Sequence, residues 1–297
     1  MTESRLKAKQ KQQRFALSKQ VEGNPFKVGG AFNALGFRHT DFDVGFDPLI
    51  MVDHYTMTAP TFGPHPHAGL SAVSIIFEDS TGLFHNRDSL GNDFDIAPGD
   101  VYWLKAGSGA YHDEEPRKGA KIHGLQVFVN IPNTQKNDSP ESLHIKAEDI
   151  PIIKKQDKRI RVLLGSLNGV ESHKSPSVPL TILDGNLKTG GHFELALDEG
   201  ESAWIYAVSG STQLSIGADT QELYTGNAIA LVSGEEGLSF HLSNTRQKAA
   251  HFVVFKGKSI DETFYQHGPL IAADYQSMGE VTQRLSRGLF GTIPEKN

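Results

Sequence analysis

Gly99-Asp100-Val101-Tyr102-Trp103-Leu104-Lys105-Ala106-Gly107 reads as a turn, a short apolar strand and a second turn. Pro98-Gly99-Asp100 supplies the first turn, since glycine accepts the positive φ that tight turns demand and aspartate hydrogen-bonds its own backbone. Further along, Gly226-Asn227-Ala228-Ile229-Ala230-Leu231-Val232-Ser233-Gly234 repeats the unit. This weak internal repeat of one β unit points to duplication of a single barrel. Neighbouring side chains alternate faces along a strand, so one of Tyr102 and Trp103 is expected to line a barrel interior.

Outward from this stretch, short apolar runs separated by turn residues continue in both directions. Pro48 to Tyr55, Ser71 to Phe77, Gly82 to Asp88, Asp93 to Ile96 and Ile122 to Val129 make one series; Leu180 to Leu187, His192 to Leu197, Ala203 to Val208, Gln213 to Ile216, Leu238 to Leu242 and His251 to Phe255 make another. With 30 Gly and 14 Pro and no long apolar run, the chain suits an all-β class, a barrel or sandwich. The polar stretch between the two series carries Pro132, Pro140 and Pro151 and reads as a connection. The expected division is a tail and lead-in over 1–36, a first barrel over 37–135, a linker over 136–160, and a second barrel with a C-terminal helical segment over 161–297.

The apolar content of 38% over 297 residues is that of a folded protein with one large or two medium domains. Cysteine is absent, which excludes disulfides, thiolate zinc, iron–sulfur clusters and a cysteine nucleophile, and fits a reducing compartment. A net charge of -6 argues against sequence-independent nucleic-acid binding. The basic segment Met1 to Lys19 lacks the apolar core of a secretory signal and reads as a tail or short surface helix. No run approaches the ~18 apolar residues of a membrane span. A soluble, cytoplasmic, monomeric protein with no membrane or direct nucleic-acid contact is expected. The chain has no glycine-rich phosphate loop and no Gly-x-Ser-x-Gly elbow, which argues against phosphoryl transfer and serine hydrolysis.

The chemistry lies in Phe62-Gly63-Pro64-His65-Pro66-His67 and in His112-Asp113-Glu114, which follows Gly107-Ser108-Gly109. Residues two apart on a strand share a face, so His65 projects with His67 and His112 with Glu114. On neighbouring strands these pairs make one metal site. Asp113 and Glu115 face the other way and rank below Glu114 as ligands. A donor set of three imidazoles and a carboxylate suits Fe(II), Mn, Ni, Co or Zn. Iron ranks first, because a six-coordinate ion would keep positions open for water, substrate or dioxygen. The remaining histidines lack ligand spacing, although His54 and His123 sit on strands expected to face one cavity. In the second repeat the ligand positions fall near Ala196, Asp198, Ser239 and His241, so the set is lost there and the fold does not need it.

These residues resemble the pirin family of the cupin superfamily. The resemblance is carried by Asp47 to Tyr55, by Phe62 to Gly69, by Arg87 to Asn92 with Pro98 to His112, by His123-Gly124-Leu125-Gln126-Val127-Phe128-Val129-Asn130, and by Tyr265 to Leu270. It implies a bicupin, two face-to-face β-barrels of double-stranded β-helix (jelly-roll) type. The metal, usually iron, would sit only in the N-terminal barrel, on His65, His67, His112 and Glu114. It also implies one of two functions: a quercetin 2,3-dioxygenase-like opening of a flavonol, or redox-sensitive binding to a regulatory protein partner. Where many pirins carry arginine, an aromatic and glutamate, this chain has Ala68, Leu70 and Ser71. The leading expectation is an Fe(II)-dependent dioxygenase acting on a small-molecule substrate, with Glu114 as catalytic base. A non-enzymatic redox or metal sensor is the alternative, and a structural zinc barrel ranks third.

Overall fold

The computed structural model describes residues 15–293 and 295. The first barrel closes two antiparallel sheets on each other. The larger runs in the order Glu141–Ile145, Val101–Lys105, Leu70–Ile76, Ile122–Asn130, Leu49–Met57, Phe32–Arg38, Asn24–Val28; the smaller runs His65–His67, Ala110–Pro116, Phe84–Asp88, Asp93–Ile96. The second barrel repeats the plan. Its larger sheet runs Phe15–Leu17, Asn227–Ser233, Glu201–Ser209, Ala250–Lys258, Leu180–Leu187, Lys158–Leu164, Ile152–Lys154, and its smaller one His192–Leu197, Leu238–Ser243, Thr212–Ile216, Asp219–Leu223. Val101–Lys105 and Asn227–Ser233 hold equivalent places, so the sequence repeat is a structural one.

Strand alternation distributes the apolar residues among separate cores. Tyr102 faces the first barrel's interior, while Trp103, one residue on, joins the core between the barrels. The second barrel has its own interior around Phe193, Leu214, Phe240 and Phe252. Between the barrels the two larger sheets pack face to face, with Phe37 of the first meeting Trp204 and Tyr206 of the second at ring-centroid distances of 5.5 and 5.2 Å. Polar contacts cross the same face: Arg161, 1% exposed, donates to Asp184 at 3.0 Å and to the carbonyl of Gly99 in the other barrel.

Each end of the described residues is sewn to the far barrel. Phe15–Leu17 and Val21–Glu22 pair with Asn227–Ser233 of the second barrel, so the part of the expected N-terminal tail that is described is strand; the rest lies outside the described residues. Asn24–Val28 then starts the first barrel. The expected linker is divided, with Glu141–Ile145 an edge strand of the first barrel and Ile152–Lys154 one of the second. At the other end, Leu270–Ala272 and the helix Tyr275–Ser286 follow the second barrel yet pack on the first: Ile271 N–H donates to the Ala68 carbonyl at 2.9 Å, and Ala68, Met278 and Phe290 share one apolar cluster. The helix begins where the Asp274 side chain accepts from Ser277 N–H at 2.7 Å. Gly69 is the contact point. Its φ is +68° and a Cβ there would stand 1.9 Å from the Ile271 carbonyl oxygen, so only glycine fits.

Candidate metal centre

His65–His67 pairs antiparallel with Ala110–Pro116, with His65 opposite His112 and His67 opposite Ala110. Alternation turns His65 and His67 to the barrel interior, and the pairing brings His112 up to them. His112 Nε2 lies 2.9 Å from His67 Nε2 and 3.0 Å from His65 Nε2. Two of the other nitrogens are committed elsewhere: His65 Nδ1 donates to the Gly63 carbonyl at 2.8 Å, and His67 Nδ1 faces the Pro269 carbonyl at 3.4 Å, while His112 Nδ1 is buried without a partner among the described residues. The Nε2 lone pairs of these two rings therefore point at one place, as a metal ion requires.

Burial keeps the rings unprotonated. It lowers the pKa of His65, lowers that of His67 to about 3 with help from the neighbouring His65, and lowers that of His112 well below the usual range. Neutral imidazole is the ligand form. The donor set fits a divalent ion: nitrogens 2.9 and 3.0 Å apart are spaced as on a common ion bound at about 2.1 Å with bonds meeting near a right angle. His65, His67 and His112 form a cluster able to hold a metal ion.

Glu114 shares the inner face with His112, as strand parity requires, and lines the same cavity. Its carboxylate accepts from the Ser74 hydroxyl, and Ser74 lies 3.1 Å from Gln126 Oε1. Burial outweighs that hydrogen bond and raises the Glu114 pKa to about 7, with Asp113 and Asp88 adding to the rise. Asp113 faces the other way and pairs with Arg87 at 2.5 Å, both buried. Ser74, Gln126, Tyr55 and Asp53 also belong to the site. Gln126 carried a signal, a polar residue inside the apolar run Leu125 to Val129; Ser74 carried none beyond its place in a buried strand.

The cavity holds about 230 Å³ and is walled largely by Phe32, Met51, Tyr55, Met57, Phe84 and Phe128. None of Ala68, Leu70 and Ser71 lines it. Ala68 packs under the C-terminal segment, and Ser71 reaches Ser177 of the second barrel at 3.2 Å. At these three positions the side chains stand outside the cavity wall, with Leu70 packed in the cluster that backs Phe128.

His54 and His123 meet, but outside this cavity. On Leu49–Met57, Met51, Asp53, Tyr55 and Met57 line the metal cavity, whereas His54 points to the second barrel. A hydrogen-bonded row runs from Tyr206 Oη to His54 Nδ1 at 2.6 Å, from His54 Nε2 to His123 Nε2 at 2.7 Å, and from His123 Nδ1 to Asp79 at 2.7 Å. In the second barrel, the inward residues of the equivalent strands are Phe193, Leu195, Leu197, Phe240 and Leu242. The sequence register, which pointed to Ala196, Asp198, Ser239 and His241, was one residue off and fell on the exposed side. Among the described residues, these inward positions of the second barrel carry apolar side chains.

Two stacked antiparallel barrels of one topology, with a three-histidine cluster in the first and apolar side chains at its counterpart, define a bicupin. Residues 38–129 match the family model described as Pirin, and residues 182–291 that of the Pirin C-terminal cupin domain. The chain is 30% identical to pirin of Rattus norvegicus over 236 residues, 79% of each protein, and 30% identical to a pirin-like protein of Solanum lycopersicum over 226 residues, 76% of this chain and 75% of that one. Among solved structures, a quercetin 2,3-dioxygenase from Acinetobacter baumannii superposes with a TM-score of 0.79 at 25% identity, covering 93% of this chain and 99% of that one. The chain belongs to the pirin family.

Proposed function

We propose that this protein is an Fe(II)-dependent dioxygenase of quercetinase type, acting on a flavonol or similar enediol, with Glu114 joining His65, His67 and His112 around the metal. The observation that carries the reading is the convergence of three unprotonated imidazoles on a largely aromatic cavity. The likeness to the Acinetobacter quercetin 2,3-dioxygenase supports it. Bound iron supplies a Lewis acid and a one-electron partner for dioxygen. The chain supplies the rest. Phe32, Phe84 and Phe128 take a flat ring and exclude water. Glu114 takes the proton of a substrate hydroxyl, while Ser74 fixes the carboxylate.

Three imidazoles with a carboxylate beside them suit a divalent ion that keeps further positions for water, substrate or dioxygen. A volume of about 230 Å³ lies below the ~300–1,000 Å³ usual for pockets that take drug-sized ligands, so compact planar substrates fit best. A cytoplasmic, monomeric state completes the proposal; the absence of cysteine suits a reducing compartment. No helix among the described residues is long and apolar enough to cross a membrane.

One observation favours a second reading. Phe62 is 50% exposed at the cavity, with its ring 6.4 Å from that of His65, so a protein partner docking there would feel a change of charge at the metal. Oxygen uptake by the Fe(II)-loaded protein with quercetin and smaller enediols separates the two. Turnover that disappears in His65→Ala supports the dioxygenase; no uptake at full iron occupancy moves the assignment to the redox-sensing regulator.

A further inference from the structure

Leu49–Met57 turns Met51, Asp53, Tyr55 and Met57 toward the metal cavity, and Asp53 and Glu114 are the two acids among the residues that line it. Asp53 is only 7% exposed, in a wall otherwise built largely of aromatic and methionine side chains. Arg38 Nη1 donates to its Oδ1 at 2.6 Å. Its Oδ2 has no hydrogen-bond partner among the described residues, and it is not sealed: the side chain keeps 10% of its surface open. Gln126 stands directly opposite on Ile122–Asn130 and lines the cavity as well, which fixes the face to which Asp53 is turned. Burying a carboxylate is costly, and a pair with the partly exposed Arg38 offsets little of that cost. Burial raises the Asp53 pKa despite Arg38, as in an under-solvated carboxylate. An open acceptor on the cavity wall calls for a donor that the chain does not supply. Asp53 lies outside the histidine cluster, so that donor is met away from the ion.

We propose that Asp53 is a positioning and specificity-determining residue: its Oδ2 accepts a hydrogen bond from a hydroxyl of the molecule that enters the metal cavity, at a place apart from the group that meets the metal. This deepens the reading of the cavity as a substrate site and rests on it. Hydrogen bonds to an ionised acceptor belong to the strong class. A buried polar group set for one partner also rejects the analogue that lacks it, because the group is then left unpaired while every apolar contact is kept. Asp53 thus selects, among flat aromatic molecules, those with a second hydroxyl remote from the metal, which makes polyhydroxylated phenols the substrate class.

The test titrates full-length, Fe(II)-loaded protein without oxygen against quercetin and against 3-hydroxyflavone, which keeps the hydroxyl and carbonyl that meet a metal but lacks the remote hydroxyls. Wild type is expected to bind quercetin about tenfold tighter or more, the worth of one charge-assisted hydrogen bond. In Asp53→Asn, which keeps the shape of the side chain, that preference is expected to fall to near one, with iron content and 3-hydroxyflavone affinity unchanged. Equal affinities in wild type overturn the proposal, and that comparison needs no variant. So does a preference that survives the substitution. Equal weakening of both ligands overturns it too, since the carboxylate would then act on the shape of the cavity alone. If wild type binds neither probe, the flavonol reading fails and the proposal falls with it, a result distinct from binding that the substitution leaves untouched.

Discussion

Both carboxylate oxygens of Glu114 lie within hydrogen-bond reach of a single hydroxyl, Ser74 Oγ, at 2.9 and 2.7 Å. A hydroxyl has one proton to give, so a buried carboxylate there is under-solvated, which is why its pKa rises to about 7. A raised carboxyl stabilises the fold fully below its ordinary value of 4.5, and the contribution is lost as pH rises through about 7. In metal-free protein, Glu114→Gln is therefore expected to match wild type near pH 4 and to exceed it at alkaline pH by on the order of 3 kcal/mol. Urea unfolding of chelated protein at both pH values measures this. With iron bound, the same variant is expected to keep metal and lose turnover; retained turnover would remove Glu114 from the mechanism.

At the barrel interface the sign reverses. Burial, with His123 and His251 nearby, lowers the His54 pKa to about 3, against the pull of Asp79. The neutral ring contributes stability above its ordinary value of 6.5 that is lost as pH falls toward 3. Between pH 7 and 5, His54→Gln is expected to lose about 2 kcal/mol less than wild type. Parallel loss in the two proteins would show that His54 is protonated without cost.

His112→Ala is expected to weaken metal binding more than ~100-fold, since even residues that only orient a ligand cost 10–100-fold. The fold should persist, because the second barrel closes around Phe240 and Leu242 on the equivalent strand. Metal analysis beside circular dichroism distinguishes the two effects; unfolding on substitution would make the ring structural.

Gly69→Ala and Gly63→Ala form a matched pair. Both glycines have positive φ, but a Cβ at Gly63 meets nothing within 4 Å, whereas one at Gly69 meets the Ile271 carbonyl oxygen at 1.9 Å. The first change is expected to cost about 1 kcal/mol and the second roughly 3 kcal/mol or more. Thermal melts compare them, and a metal titration of Gly69→Ala should show weaker binding because the displaced segment carries Pro269.

The grouping of the histidines was legible in the sequence because parity along one strand is a local property, and His65, His67, His112 and Glu114 each declare their face that way. The contact between Glu114 and Ser74 was not, since it joins two strands whose packing no local pattern encodes. His54 shows a different limit. Leu49–Met57 is largely buried on both faces, so alternation separated Asp53 and Tyr55 from His54 without saying which face looked into the barrel. The short strand Phe15–Leu17 gave still less, because its partner is Asn227–Ser233, far along the chain. Turn chemistry did better, with Pro98-Gly99-Asp100 marking both the strand and its repeat.

His67 faces the carbonyl of Pro269 across 202 residues of sequence. Chains are made from the N-terminus and fold domain by domain as they emerge. The histidines of the first barrel are thus synthesised long before the segment that covers them, and the whole second barrel must follow before Pro269 and Leu270 can dock. The cavity reaches its final shape only then. A stalled or cleaved chain that ends before this segment would present its histidines in an unclosed cup, without the Pro269 carbonyl that His67 faces.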